Sequence, residues 1–172
     1  MNGLLTVTTA NSVVGNNTAL PVEYSPKIKE YIREVTKGKV VVQGSTTYIY
    51  HGVIADNDCV NVVLTSLTEK LPEGYDLILA GNPLLVLKQI YDKYPDKDII
   101  FLGGMTIYEQ FLSYIHDFYI VRVDANVQGN IAFSGKFFQF INMGSTKISE
   151  QIIPEIPTYP KTTMTHYRRC IH

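Results

Sequence analysis

The sequence predicts an α/β domain with a mostly parallel central sheet that is flanked by helices. Short apolar runs typical of buried strands alternate with helical patterns of about 10–15 residues, which is the pattern of a parallel sheet covered on both faces. The chain has 172 residues, 45% of them hydrophobic and 18% charged, which indicates a single domain over residues 1–172 with one core. The last segment alternates apolar and polar residues and predicts an antiparallel C-terminal strand.

The bulk composition excludes several classes of function. The net charge is −1, from 15 basic and 16 acidic residues, so nothing favours binding to nucleic acid or to an anionic membrane. The apolar runs are shorter than a membrane span, and the first residues lack the basic flank and long apolar core of a signal peptide. Cys59 and Cys170 have no metal-binding spacing. We therefore expect a cytoplasmic protein with reduced thiols and no metal site.

The first part of the chain predicts a strand, a loop and a helix. Leu4–Thr9 alternates apolar and polar residues and predicts the first strand. Asn11–Asn17 is rich in turn-forming residues and predicts a loop. Ser25 and Pro26 predict an N-cap followed by proline at the first helical position, and Lys37 with the glycine after it predicts the end of this helix.

The rest of the chain continues the alternation. The predicted strands are Val40–Val42, Val60–Thr65, Tyr75–Ala80, Ile99–Leu102 and Phe118–Val123, and two more follow around the proline-rich turn Pro154–Pro160. The second of these two, Thr162–Cys170, is expected to be an edge strand or an antiparallel partner. A helix should begin at Asn82-Pro83, with an inward face formed by Leu84, Leu87, Ile90 and Tyr91.

The stretch Ile99–Gln110 carries the clearest signal for a ligand site. A buried strand ends at Gly103-Gly104, and a helix is expected to follow at Thr106. A glycine turn between a strand and a helix suits a phosphate group, although the same glycines also serve packing alone in many α/β proteins. Because ligands bind beyond the carboxyl ends of parallel strands, we expect the loops Asn11–Leu20, Gly44–Thr47 and Gly103–Thr106 to converge on one cleft.

Five segments, in order and at matching separations, resemble the dihydrofolate reductase family. Leu4–Pro21 is similar to the first strand and nicotinamide loop, and Val42–Tyr48 to the strand before Gly-Arg-x-Thr-Trp. Leu64-Thr65-Ser66 is similar to the segment beside the adenine, and Leu102–Leu112 to Ile-Gly-Gly-x-x-x-Tyr-x-x-x-Leu. Tyr119–Phe133 is similar to the Tyr…Asp-Ala…Gly-Asp…Phe segment. The resemblance covers nearly the whole chain and implies that family's fold, with a cis peptide bond between Gly103 and Gly104.

The resemblance implies an oxidoreductase that uses NADPH to reduce 7,8-dihydrofolate to tetrahydrofolate. The cofactor-binding positions carried over are Val14, Gly15, Ala19, Leu20, Gly44, Ser45, Thr46, Thr47, Thr65, Ser66, Gly103, Gly104, Met105, Thr106, Ile107, Tyr108 and Gln110. The substrate-binding positions are Leu5, Val7, Ile28, Tyr31, Leu102 and Val121. Ser45 stands where the family has the arginine that reads the 2′-phosphate, so NADH also fits.

The catalytic acid of the family is missing. Its carboxylate on the first helix matches Lys27, or Ile28 if the gap is placed differently, and its threonine partner matches Val121. Glu23 and Tyr31 are the candidates that could replace the acid, whereas Glu30 should point away from the apolar face of the helix. Loss of both members of one hydrogen-bonded pair is stronger evidence that this part of the site has changed than loss of either one.

Other family positions have also changed. The tryptophan beside the nicotinamide matches Val22, and the arginine that binds the substrate's carboxylate falls near Cys59.

Three functions therefore remain open. The chain is an active reductase with weak or altered activity, or an inactive member of the fold that binds a nucleotide or a protein partner, in which case cofactor binding itself could be lost. The third alternative is a reductase of another heterocycle, such as a riboflavin-pathway pyrimidine.

Overall fold

A computed structural model describes residues 1–15, 22–51, 58–65 and 73–170, with the side chains of residues 50 and 51 left out. The strands are β1 Asn2–Thr9, β2 Val13–Gly15, β3 Val40–Gly44, β4 Val60–Leu64, β5 Leu77–Leu79, β6 Ile99–Gly103, β7 Asp117–Val123, β8 Ile131–Ala132, β9 Ser145–Ile153 and β10 Thr162–Arg169. The helices are α1 Pro26–Thr36, α2 Ser45–His51, α3 Pro83–Lys93, α4 Met105–Phe111 and α5 Gly135–Gly144, and Leu112–Tyr114 forms one turn of 3₁₀ helix.

Eight strands form one sheet in the order β5-β4-β3-β6-β1-β7-β10-β9. The six strands from β5 to β7 are parallel, and β10 pairs antiparallel with both β7 and β9. The predicted fold class is thus confirmed. The segment Thr162–Cys170 is an antiparallel partner and not an edge, because β9 covers its outer side.

The sheet is buried on both faces. On one face, α3, α4 and α5 pack over a large apolar cluster that includes Ile90, Phe111 and Ile141. On the other face, α1 packs over a smaller cluster through Ile28 and Val35. This two-sided burial explains why the central strands have continuous apolar runs instead of alternation.

The end signals of α1 act as the sequence predicts. Ser25 is the N-cap, and its Oγ accepts a hydrogen bond of 3.2 Å from the backbone N–H of Ile28. Pro26 occupies the first turn, and the helix ends at Lys37 before Gly38, which has a φ of 70°. This geometry fixes which side of α1 faces the sheet.

Three local predictions were wrong. Val13–Gly15 forms a short strand and not only a loop, because β8 pairs with it. Ser45–His51 is a helix, where a loop was expected over Gly44–Thr47, since Tyr48 becomes buried against Val63. Leu84 was expected on the inward face of α3 but is 63% exposed, because it lies in the first turn on the side away from the sheet. Val86 is the residue of this turn that is buried.

The described residues contain neither a membrane-spanning helix nor a cluster of metal-binding side chains. Within the ranges given above, no helix is long and apolar enough to cross a membrane. In that same part of the chain, no group of three histidine, cysteine, aspartate or glutamate side chains is placed to hold a metal ion.

Candidate functional site

The strand order creates a crevice at the carboxyl ends of β1 and β6. The chain leaves β1 through α1 toward β3 on one side, and leaves β6 through α4 toward β7 on the other side. Such a reversal of direction opens a gap between the two loops, and ligands of open α/β sheets bind there. The predicted loops Gly44–Thr47 and Gly103–Thr106 follow β3 and β6 at this end of the sheet, and residues 11–15 of the predicted loop Asn11–Leu20 follow β1 there. Residues 16–20 of that loop lie outside the described residues.

The glycine turn after β6 packs tightly against the turn after β3. A Cβ added at Gly44 would lie 3.2 Å from Cγ1 of Ile107, and one added at Gly104 would lie 3.2 Å from Oγ1 of Thr47. Gly103 has a φ of 114°, and the Gly103-Gly104 peptide bond is cis, as expected. The segments Gly44–Thr47 and Gly103–Thr106 therefore lie against each other, and glycine at positions 44 and 104 permits this contact.

Tyr108 joins α4 to the two strands that border the crevice. Its buried hydroxyl lies 2.7 Å from the carbonyl oxygen of Leu102 and 2.8 Å from that of Leu5. The register of β1 and β6 ends at the pair Leu4 and Phe101, so Leu5 and Leu102 are the next residues along the two strands. Burial raises the pKa of the Tyr108 phenol, which stays a neutral donor.

The start of the first predicted loop is anchored to the segment before α5. The Oγ1 of Thr8 donates to the carbonyl of Val13 at 3.1 Å, and the N–H of Val13 donates to Oγ1 of Thr9 at 3.1 Å. The side chain of Asn11 forms two hydrogen bonds with the main chain of Val127, at 2.7 and 3.2 Å. These bonds place β2, and with it Val14 and Gly15, beside the crevice.

The wall of the crevice on the α1 side is aliphatic. Ile28 is 1% exposed and Val121 is 0% exposed, and both belong to one cluster with Leu5 and Val7. Leu102 is partly buried against the same cluster. The substrate-binding residues expected from the sequence are therefore brought together, and none of these five carries an ionisable group.

Lys27 lies outside this wall. Its side chain is 64% exposed, and its Nζ forms an ion pair of 3.4 Å with Glu30, which is also exposed. Of the two positions that could match the family's acid, only Ile28 faces the sheet. The expectation that Glu30 points away from the apolar face of α1 is confirmed.

Two tyrosines bring phenol groups to the rim of the aliphatic wall. Tyr31 packs partly buried against the cluster, and burial raises its pKa from 10.0 to about 12, with smaller contributions from Tyr119 and Glu34. Tyr24 packs against the same cluster, and burial raises its pKa as well. Sequence reasoning missed Tyr24, although its place just before the N-cap Ser25 could have indicated it. Glu23 is exposed.

The remaining expected cofactor positions differ in exposure. Ser45 begins α2 and is half-buried, Met105 packs partly buried against the larger cluster, and the N–H of Thr65 donates to the carbonyl of Leu79 at 3.0 Å. Thr46, Thr106 and Gln110 are exposed. Ala19, Leu20 and Ser66 lie outside the described residues.

The two other positions where the sequence departs from the family lie apart from each other. Val22 packs partly buried against the cluster under α1. Cys59 lies near the C-terminal end of α1, where its Sγ donates to the carbonyl of Thr36 at 3.0 Å.

Comparisons with known proteins agree with this fold. The sequence model of the family described as dihydrofolate reductase matches residues 2–161. A dihydrofolate reductase of Staphylococcus aureus is 28% identical over 157 residues, which are 91% of each chain. One from Buchnera aphidicola is 27% identical over 145 residues, covering 80% of this chain and 84% of the relative.

A solved structure agrees as well. Dihydrofolate reductase from Enterococcus faecalis, complexed with NADP(H) and a compound named RAB-propyl, superimposes with a TM-score of 0.81. The alignment covers 99% of this chain and 97% of the other at 16% identity, which is evidence for the fold alone. The match of the family model over nearly the whole sequence goes further, and the chain belongs to the dihydrofolate reductase family.

Proposed function

We propose that this protein binds a nicotinamide dinucleotide, NADPH or NADH, and reduces 7,8-dihydrofolate to tetrahydrofolate with weak or altered activity. The observation that supports this most directly is the close packing of the two glycine turns at the carboxyl ends of β3 and β6, where ligands of open α/β sheets bind. A Cβ at Gly44 would lie 3.2 Å from Cγ1 of Ile107 and one at Gly104 would lie 3.2 Å from Oγ1 of Thr47, so the two turns meet because both residues are glycine. The related Enterococcus enzyme has the same fold, and its structure is a complex with NADP(H).

The residues present are compatible with a dinucleotide, but no guanidinium stands at position 45 to bind the 2′-phosphate of NADPH. Gly103, Gly104 and Thr47 would hold the central phosphates through the main chain and a hydroxyl group, and β2 would border the nicotinamide. Ser45 offers a hydroxyl group instead of a guanidinium for the 2′-phosphate, and it therefore gives less preference for NADPH over NADH.

When bound, the cofactor supplies a hydride, and the chain must then allow a proton to reach the substrate's nitrogen. Ile28 and Val121 have no proton to give. Tyr31, with a pKa of about 12, is a weak acid at neutral pH and acts as a hydrogen-bond donor instead. We infer that the proton comes from water, so that turnover is slow and falls as the pH rises.

The first test is a titration with NADPH and with NADH, followed by nicotinamide fluorescence and by thermal unfolding. A ligand at 100 times its dissociation constant stabilises a fold by about 2.7 kcal/mol, which a melting curve resolves. Dihydrofolate is then added and the oxidation of the cofactor is followed. Binding together with turnover above a protein-free blank supports the proposal, and absence of both with folded protein contradicts it.

A second candidate is an inactive member of the family that kept the fold as a nucleotide-binding or protein-binding module. The burial of Ile28 and Val121 in one apolar cluster favours it, because a wall of buried aliphatic side chains holds no proton donor. The double variant Ile28→Asp/Val121→Thr separates the two functions. A turnover rate above that of the wild type indicates that the crevice is otherwise able to support the reaction. A rate no higher than that of the protein-free blank, in a folded variant that still binds cofactor, indicates an inactive member of the family. Lys27→Asp is the matched control, since its carboxylate would lie in solvent.

A further inference from the structure

A groove lies at the end of the sheet opposite to the crevice. It is formed by the outward face of α5 and the last residues of β10, and its volume is about 430 Å³. The N–H of Arg169 donates to the carbonyl of His116 at 2.7 Å, just before β7 begins, and the N–H of Cys170 donates to that of Gly144 at 2.9 Å. The groove is therefore at the amino ends of the parallel strands, and it shares no residue with the crevice. Its volume lies within the range of about 300–1,000 Å³ that is typical of sites for small molecules.

One wall of the groove is formed by α5, whose lining side chains stand at helical spacing, at Lys136, Gln139, Phe140 and Met143. Phe140 and Met143 make part of this wall apolar. Phe140 packs edge-on against the buried ring of Phe118, which fixes its position, and Met143 is 80% exposed. A fixed ring beside an adaptable thioether suits the flat face of an aromatic ligand.

The polar side of the groove is positively charged. Among the described residues that line it, Lys136 and Arg169 are cationic and none is acidic. The guanidinium of Arg169 stacks over the ring of Phe140 at 4.7 Å, and its Nη1 donates to the carbonyl oxygens of Ser113 at 2.8 Å and Ile115 at 3.4 Å. A guanidinium that is already oriented loses little entropy when it binds a carboxylate.

We propose that this groove is a second binding site, which takes a small aromatic carboxylate. The ring of the ligand lies against Met143 and the face of Phe140 that Arg169 does not cover, and its carboxylate lies between Lys136 and Arg169. The size of the groove favours a small ligand, its apolar wall favours an aromatic ring, and its positive charge favours a carboxylate. The inference does not depend on the reductase activity, because the crevice lies at the other end of the sheet.

The test compares two probes of equal shape, 2-naphthoate and the neutral 2-naphthalenemethanol, by isothermal titration. The charged probe should bind at least tenfold more tightly than the alcohol. Lys136→Glu should weaken the affinity for 2-naphthoate at least fivefold and leave the affinity for the alcohol unchanged. Equal affinity for the two probes, or an unchanged affinity in Lys136→Glu, would overturn the proposal.

Gly144 offers a way to block the groove without damage to the fold. Gly144 lines the groove, and no heavy atom lies within 4 Å of a Cβ added there, so Gly144→Leu adds a bulky side chain to the lining without displacing a neighbour at its Cβ. This variant should melt like the wild type, bind NADPH as the wild type does, and lose 2-naphthoate binding. Retained binding of 2-naphthoate would show that the probe binds elsewhere, which would contradict the proposal.

Cys170 reports the position of the bound probe. Its thiol is exposed at the rim of the groove, 3.3 Å from the hydroxyl of Thr146, whereas Cys59 lies outside the groove. Alkylation with iodoacetamide is followed at both cysteines by mass spectrometry. Saturating 2-naphthoate should slow the reaction at Cys170 several-fold and leave Cys59 unchanged. Equal rates at Cys170 with and without the probe would overturn the assignment of the site.

Discussion

The phenol oxygen of Tyr108 lies 2.8 Å from the carbonyl oxygen of Leu5, so a residue of α4 is bonded directly to the central strand. The same oxygen lies 2.7 Å from the carbonyl of Leu102 in the neighbouring strand. A phenol has a single proton, and it therefore serves the two acceptors in turn. This bridge sets the separation of β1 and β6 at the point where their pairing stops.

Tyr108→Phe should lower the free energy of unfolding by about 1–3 kcal/mol, because two buried carbonyl groups lose their donor. The affinity for NADPH should also weaken, since the glycine turn before α4 loses this anchor. Urea unfolding and nicotinamide fluorescence measure the two effects. Tyr91→Phe is the matched control, because Tyr91 donates to Oδ1 of Asn2 far from the crevice. Equal affinities for NADPH in the two variants would contradict the role assigned to Tyr108.

Gly103→Ala should destabilise the fold by more than about 1 kcal/mol. Gly103 has a φ of 114°, where side chains with a Cβ are strained, and its added Cβ would lie 2.9 Å from Oη of Tyr108. Gly135→Ala is the control, since no heavy atom lies within 4 Å of a Cβ there and Gly135 begins α5. Chemical denaturation of both variants gives the comparison. A Gly103→Ala protein as stable as Gly135→Ala would show that this turn tolerates a side chain.

The sequence predicted most of the fold, because the strongest signals were local or periodic. The N-caps Ser25 and Asn82 accept hydrogen bonds from the residues three positions later, as their place before Pro26 and Pro83 indicates. The apolar run from Val40 to Val42 is buried on both faces. Such signals depend on a few neighbouring residues and survive folding unchanged.

The wrong predictions concern elements whose form depends on distant contacts. Val13–Gly15 becomes a strand only because β8, more than a hundred residues later, pairs with it. Ser45–His51 has weak helical propensity, and the burial of Tyr48 accounts for its helix. In the site, the choice between Lys27 and Ile28 depended on where α1 begins relative to the sheet, which the alignment of motifs left open.

Gly129→Ala should weaken the binding of NADPH by about tenfold, the equivalent of about 1.4 kcal/mol. A Cβ at Gly129 would lie 2.4 Å from Cγ1 of Val13 and 2.6 Å from the carbonyl oxygen of Gly15, so β2 must move away. Val14 and Gly15 are the proposed contacts of the cofactor on this side. The dissociation constant is measured by fluorescence, with Gly144→Ala as the control. An affinity for NADPH within twofold of the wild type would show that β2 does not contribute to cofactor binding.

Stability should fall with rising pH above about pH 10, in part because of Tyr31. Burial raises the pKa of its phenol from 10.0 to about 12, so between these values the unfolded chain loses a proton that the folded protein keeps. The free energy of unfolding then decreases by up to about 1.4 kcal/mol per pH unit for this group. Below pH 10 both states are protonated, and Tyr31 adds no pH dependence.

Tyr31→Phe should therefore release about one proton fewer on unfolding near pH 11. Urea unfolding at half-unit steps from pH 8 to pH 12 measures this difference as a shallower decline in the variant. The two curves should run parallel below pH 9, where the phenol is protonated in both states. Parallel curves up to pH 12 would mean that the Tyr31 phenol ionises in the folded protein as readily as in water. It would then be a better proton donor to the crevice than its burial implies, and the proton in the proposed reaction would no longer have to come from water.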